Sequence, residues 1–247
     1  MSRWKASGIH LLISLTIVGS VAAYIVSFWY PPALFQMARA DMLLMLVGGI
    51  DLIIGPLLTL VIYRHNKPGL RFDLIVIAIL QAAFLSYGLY TMYLSRPVFL
   101  VASAGRFDLV FANEISSAAL AEATKTPYGT LGIGAPKLVG ADLPQNQKAR
   151  EAIMMSAFAG NGDLQDMPRY YTDYATIVPS LLASAKPLKP EKGISQAAIN
   201  TLIAAAKQHK RNPDDVRWLR LGSSRGFAVM LVEAGTGKII GPVNADP

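Results

Sequence analysis

The chain has 247 residues, 53% of them hydrophobic and none cysteine, and it carries a formal net charge of +7. The lack of cysteine excludes disulfides, zinc thiolate sites and thiol nucleophiles. The basic excess is divided between residues flanking apolar runs and a scattered set, Lys207, Lys210, Arg211, Arg217 and Arg220, that reads as a solvated face, so no nucleic-acid partner is expected.

Apolar residues crowd the chain before Ser95, whereas Arg96 to Pro247 has the length and composition of an ordinary globular domain. Three runs, Ile9–Tyr30, Met42–Tyr63 and Leu74–Leu94, reach the ~20 residues a helix needs to cross the hydrocarbon core. Arg3, Lys5 and the stretch Ala38-Arg39-Ala40 give the first run the outline of a signal peptide. Its apolar part is longer than the ~7 to 15 residues of such a signal, so it is read as a retained span. The expected architecture is a three-helix transmembrane bundle over residues 1–95 and a small α+β extracytoplasmic domain over 96–247.

Arg3 and Lys5 precede the first span, Arg39 stands alone in the first loop, and Arg64, Lys67 and Arg71 crowd the second. The positive-inside rule then puts the N-terminus in the cytoplasm and the C-terminal domain outside, in the periplasm of a Gram-negative bacterium. Phe28, Trp29, Tyr30, Tyr90 and Tyr93 form an outer aromatic belt in this reading, with Trp4 and Tyr63 at the inner interface.

The second span carries Asp51. A carboxylate near mid-bilayer costs roughly 2.5 to 3.5 kcal/mol on insertion scales, which marks it as structural glue or as a functional group. Gly48, Asp51, Gly55 and Thr59 recur at helical spacing, a face of small residues beside the acid. Thr16, Ser20, Ala23 and Ser27 of the first span, and Gln81, Leu85, Gly88 and Met92 of the third, are the stripes expected to meet it. Pro56 removes an intrahelical bond just beyond Asp51. Asp51 either bonds to Gln81 or a serine of the first span and fixes the bundle, or receives another protein's membrane helix, or handles protons or ions. With no intramembrane base in view, the last has least support.

Beyond the spans, Val98–Ala102 and Arg106–Phe111 read as a hairpin, Asn113 as the cap of a helix over Ile115–Ala123, and Lys137–Ala141 as a strand. Gln145–Ala159 has helical composition and stops at Gly160-Asn161-Gly162. An aromatic stretch, Met167–Tyr174, leads into a short helix to Ala185, and Lys186–Gly193 reads as an extended linker. Ser195 caps a helix to about His209, and Val216–Leu221, Phe227–Glu233 and Lys238–Val243 form a small antiparallel sheet.

Gly222-Ser-Ser-Arg-Gly226 matches the nucleophile-elbow pattern, with Ser224 in the nucleophile position and His209 as its only partner beyond the spans. An elbow needs a strand, a sharp turn and a helix, and strand sequence follows here, so a hairpin loop is the expectation. Gly235-Thr-Gly-Lys238 lacks the upstream glycine and following hydroxyl of a phosphate loop. Gly132-Ile-Gly134 lacks the third glycine of a dinucleotide fingerprint. No metal spacing is present, so neither catalysis nor a cofactor is expected.

Met1–Ala6, Gly8–Leu12, Trp29–Pro32, Gly49–Leu60, Arg71–Asp73, Tyr87–Tyr90 and Arg96–Leu100 together resemble the TfpX/TfpZ family of type IV pilin accessory proteins. The resemblance is dense to about Phe107 and continues as layout beyond. It implies a non-enzymatic, chaperone-like protein of the inner membrane that binds a type IV major pilin, assists its stability or assembly, and meets other pilus-assembly proteins. A pilin sits in the membrane by one apolar helix, with its head in the periplasm. On that basis Gly48, Asp51, Gly55, Pro56 and Gln81 are expected to receive the helix, with Asp51 facing its N-terminal amine, and Tyr170, Tyr171 and Tyr174 to touch the head. A membrane-anchored periplasmic hydrolase using Ser224 and His209, or a sensor, is the alternative.

Overall fold

The computed structural model describes residues 1–65, 67–190 and 194–245. The chain divides into two compact units at Ser95 and Arg96.

Among the described residues, three helices are long and apolar enough to cross a membrane: Arg3–Phe28, Ala40–Ile62 and Leu70–Leu94. The first, α1 (Arg3–Phe28), starts before its apolar run because Ser2 caps it, its hydroxyl accepting from the Lys5 amide at 3.3 Å. The second comprises α2 (Ala40–Gly49), a π-helical turn (Ile50–Ile54) and α3 (Gly55–Ile62). A π turn bonds each carbonyl to the amide five residues on. The amide due to Asp51 would come from Pro56, which has none. The third helix, α4 (Leu70–Leu94), follows Gly69, which holds the left-handed φ of 81° that glycine adopts without strain.

Close approach in this unit rests on missing side chains. A Cβ on Gly48 would meet Val18 Cγ1 at 2.9 Å, and one on Gly88 would meet Val47 Cγ1 at 2.6 Å. The buried face of the second span is the expected one, with Gly48, Asp51, Gly55 and Thr59 all buried. The third span likewise buries Gly88 and Met92. The first span differs: Thr16, Ser20, Ala23 and Ser27 are exposed, and Ala6, Ser14 and Ile25 are buried instead. Thr16 and Ser20 donate to the carbonyls of Leu12 and Thr16 in their own helix, so their hydroxyls need no neighbour. Tyr30 also departs from expectation. It is fully buried instead of lying in an exposed belt, and its hydroxyl donates to the Ser95 carbonyl at 2.9 Å.

The second unit is built on a mixed sheet of eight strands among the described residues, in the order Tyr171–Thr172, Lys137–Ala141, Pro97–Ser103, Arg106–Phe111, Val216–Ser223, Gly226–Glu233 and Ile239–Val243, with Lys186–Pro187 paired to Val216–Ser223. The hairpin of β1 (Pro97–Ser103) and β2 (Arg106–Phe111) is the expected one, and Gly105 supplies its left-handed turn at φ 95°. Ser116, not Asn113, caps the short helix α5 (Ser117–Glu122), because its hydroxyl reaches the Ala119 amide. Strand β3 (Lys137–Ala141) pairs parallel to β1, α6 runs from Gln147 to Phe158 under an Asn146 cap, and β4 (Tyr171–Thr172) closes that edge. Helix α7 (Tyr174–Ser184) lays Ile177 against Gly140 of β3.

The expected linker begins as strand β5 (Lys186–Pro187) on β6, while residues 191–193 of that reading lie outside the described residues. Ser195 caps α8 (Gln196–Gln208) as expected. Its Leu202 and Ala206 pack on Val216 and Trp218 of β6 (Val216–Ser223) and on Val229 and Leu231 of β7 (Gly226–Glu233). Strand β8 (Ile239–Val243) forms the other edge. These last strands are not a separate antiparallel sheet: β6 pairs parallel to β2 and makes the sheet continuous.

Candidate functional site

Polar side chains from all three spans meet at one level. Ser7 and His10 come from α1, where Ser7, His10 and Ser14 recur at three and four residues on the inward side. Asp51 and Thr59 come from the second span and Gln81 from α4. Gln81 Nε2 donates to the Asp51 backbone carbonyl at 3.2 Å, supplying the donor that Pro56 withholds. A Cβ on Gly55 would overlap the Gln81 amide, so glycine is what admits it.

The rest of the chain of bonds follows from that orientation. Gln81 Oε1 is an acceptor and lies 2.7 Å from His10 Nε2, which therefore carries its hydrogen. In the neutral ring Nδ1 then accepts from the Thr59 hydroxyl at 2.6 Å. Ser7 Oγ donates to the Pro56 carbonyl at 2.9 Å. His10 thus places a base in the polar core of the three apolar helices, where none was expected. The spacing of Ser7, His10 and Ser14 was the available signal.

Asp51 itself is 4% exposed, and among the described residues its Oδ1 has no hydrogen-bond partner. Gln81, the expected partner, bonds the Asp51 backbone carbonyl. The structure therefore brings Asp51, Gly55, Pro56 and Gln81 together around one polar core, with Gly48 on the same buried face against Val18.

The three tyrosines are placed differently from the expectation of a shared surface. Tyr171 is 6% exposed, packs edge-on against Phe99 with ring centroids 5.0 Å apart, and donates its hydroxyl to the Gln165 carbonyl. Tyr174 donates to the Gly237 carbonyl at 2.5 Å, and burial pushes its pKa up to about 12. Tyr170 is half-buried, with the Arg169 guanidinium 4.7 Å above its ring. Tyr171 belongs to the core because β4 must cover Val139 and Ala141, so its ring is not available as contact surface.

An open polar cleft of about 550 Å³ lies beside Arg106, Asp108, Asp163, Asp166 and Ser224. Arg106 Nε donates to Asp108 at 2.8 Å, and its Nη2 donates to Asp163 at 3.1 Å and Gln165 at 2.9 Å. Ser224 sits in the two-residue turn between β6 and β7, the hairpin expected, not the mouth of a helix. His209 lies against Gly241 of β8 and does not line the cleft. Among the described residues, no group of three His, Asp or Glu side chains is placed to hold a metal ion.

The profile of the family Fimbrial assembly protein FimB matches residues 1–37, the stretch that contains Ser7, His10 and Ser14. The chain is 29% identical over 236 residues to the fimbrial assembly protein, serogroup I, of Dichelobacter nodosus, covering 92% of this chain and 89% of the relative. The serogroup E1 protein of the same organism is 27% identical over 235 residues, with the same coverage. The protein of serogroups C1 and C2 is 37% identical over 99 residues, 39% of this chain and 76% of that relative. No solved structure matches the chain. The shared sequence, including a relative above 30% identity that is covered over three quarters of its length, shows that this chain belongs to the fimbrial assembly protein family.

Proposed function

We propose that this protein is an inner-membrane accessory of type IV pilus assembly that binds a major pilin and assists its stability or assembly, without catalysing a reaction. Its relatives carry fimbrial assembly in their names along nearly the whole chain, and the TfpX/TfpZ resemblance supplies the pilin as client. The observation that carries the reading is Asp51 Oδ1, buried and without a hydrogen-bond partner among the described residues, inside a helix apolar enough to cross a membrane. An unmet acceptor in hydrocarbon costs several kcal/mol and is kept where something meets it.

The pilin's apolar helix is proposed to enter beside Gly48, taking the place of Val18 and bringing its N-terminal amine to Asp51, with Gly55, Pro56 and Gln81 holding the acid in position. On the periplasmic side Tyr170 is the remaining candidate for contact with the pilin head, and Tyr171 and Tyr174 support it from within the domain. The N-terminus is cytoplasmic in this reading.

Asp51→Asn tests the site. It keeps the shape and removes the charge, so pilin co-purification and surface pili should fall while the abundance of the variant stays at the wild-type level. If variant and pilin are lost in equal measure, Asp51 is bundle glue and the binding role fails. Crosslinkers at positions 48, 51 and 55 should capture pilin directly.

A further inference from the structure

Residues 124–137, a loop that follows α5 and ends on the first residue of β3, have a construction that the proposed function leaves unexplained. Its base is fixed. Tyr128 and Leu131 pack on the domain core, and a Cβ on Gly129 would meet the Ala123 carbonyl oxygen at 2.5 Å. Arg96, 2% exposed, donates from both Nε and Nη2 to the Gly132 carbonyl at 3.1 and 2.8 Å. A buried guanidinium is a costly brace for a loop. The next residue, Ile133, is 70% exposed, and a Cβ on either neighbouring glycine, Gly132 or Gly134, would meet open space. The fold thus holds a single isoleucine out at the tip of a braced loop.

Two observations say what covers it. The loop contains Lys125 and Lys137 and no acidic residue, and the Lys137 ammonium rides 4.7 Å from the Tyr128 ring. Apolar tip, tyrosine and lysines are the side chains that suit a lipid headgroup layer. The clamp also has a fixed address, for Arg96 follows Leu94, the last residue of α4, by two positions. Chain reach alone ties the loop to the point where the third span ends. Phe158 and Phe227 are comparably exposed but lack such a tether.

We infer that residues 124–137 are a membrane-interface anchor, in which Ile133 enters the headgroup layer and Lys125 and Lys137 meet anionic lipid phosphates. This rests on the membrane reading of the three apolar helices, and the test separates the two.

The chain has no cysteine, so single labels are straightforward. Ile133→Cys, Phe158→Cys, Phe227→Cys and, on the second span, Ile53→Cys would each carry an environment-sensitive fluorophore in the full chain. Each variant, checked for an unchanged melting midpoint, is placed in nanodiscs whose lipids carry the quencher at the headgroup, to read 133, 158 and 227, or along the acyl chain, to read 53. Quenching at 133 should be several-fold stronger than at 158 and 227, and stronger in anionic than in zwitterionic discs. Lys125→Glu combined with Lys137→Glu should remove that difference. Strong quenching at 53 with none at 133 overturns the anchor and leaves the spans intact. Failure at 53 overturns the membrane reading itself. Crosslinking of position 133 to pilin or to a second copy, in place of lipid quenching, also overturns the anchor.

Discussion

Asp166 accepts the Asp163 amide at 2.9 Å while facing Glu114, Asp163 and Asp108 across the polar cleft. Burial, reinforced by those carboxylates and opposed by the amide, pushes its pKa from 3.8 up to about 6. Because the folded value is the higher one, the folded domain holds the extra proton. That stability is fully present below pH 3.8 and is lost as the pH rises through about 6. Asp108 shifts in the same direction by burial, partly offset by Arg106, and adds to the trend. The urea midpoint of the full chain should therefore fall between pH 4 and pH 7, and Asp166→Asn should flatten the curve. Parallel curves for wild type and variant would assign the trend to other groups. Tyr30 gives a second residue-level expectation, since its hydroxyl meets the Ser95 carbonyl at the end of α4. Tyr30→Phe removes that bond and should cost about 0.5–1.5 kcal/mol, read as earlier loss of helical circular dichroism in micelles. An unchanged midpoint would mean another donor reaches Ser95.

At the scale of elements, the second span depends on a substitution of partners: Pro56 withholds an amide, the helix widens into a π turn, and Gln81 of α4 donates in its place. Gly55 makes room for it. Gly55→Ala and Gln81→Ala should each weaken the bundle by about 0.6–1.7 kcal/mol per lost interhelical bond. They remove the same contact, so the double variant should cost clearly less than the sum of the singles. Additive costs would separate Gly55 from the seating of Gln81. Part of this element was legible in sequence, because Gly48, Asp51, Gly55 and Thr59 repeat at helical spacing and that face is buried. The face of α1 was not. Thr16, Ser20, Ala23 and Ser27 satisfy the small-residue rule as well as Ser7, His10 and Ser14 satisfy a polar one, and spacing alone does not say which stripe turns inward. Hydroxyls that bond within their own helix, as at Thr16 and Ser20, look the same in sequence as hydroxyls that reach across.

For the whole molecule, the division near Ser95 was legible because apolar composition ends there, and strands such as Lys137–Ala141 were legible from turn residues and alternation. The joining of all strands into one sheet was not. The parallel pairs β1 with β3 and β2 with β6 link segments far apart in sequence, whereas hairpins announce themselves through their turns. The second unit nevertheless contains its own cores, one around Phe99, Val139 and Tyr171 and another around Leu202, Trp218 and Leu231. Residues 96–247 produced alone should therefore fold, melt in one cooperative transition, and show blue-shifted fluorescence from Trp218, its sole tryptophan and one that is buried in the core. On the proposed function the fragment, which lacks Asp51 and both neighbouring helices, should lose most pilin capture relative to the full chain. A folded fragment that captures pilin as well as the full chain would move the proposed client site from the apolar helices to the sheet domain. An unfolded fragment would show that Arg96 to Pro247 needs the spans to reach its native state.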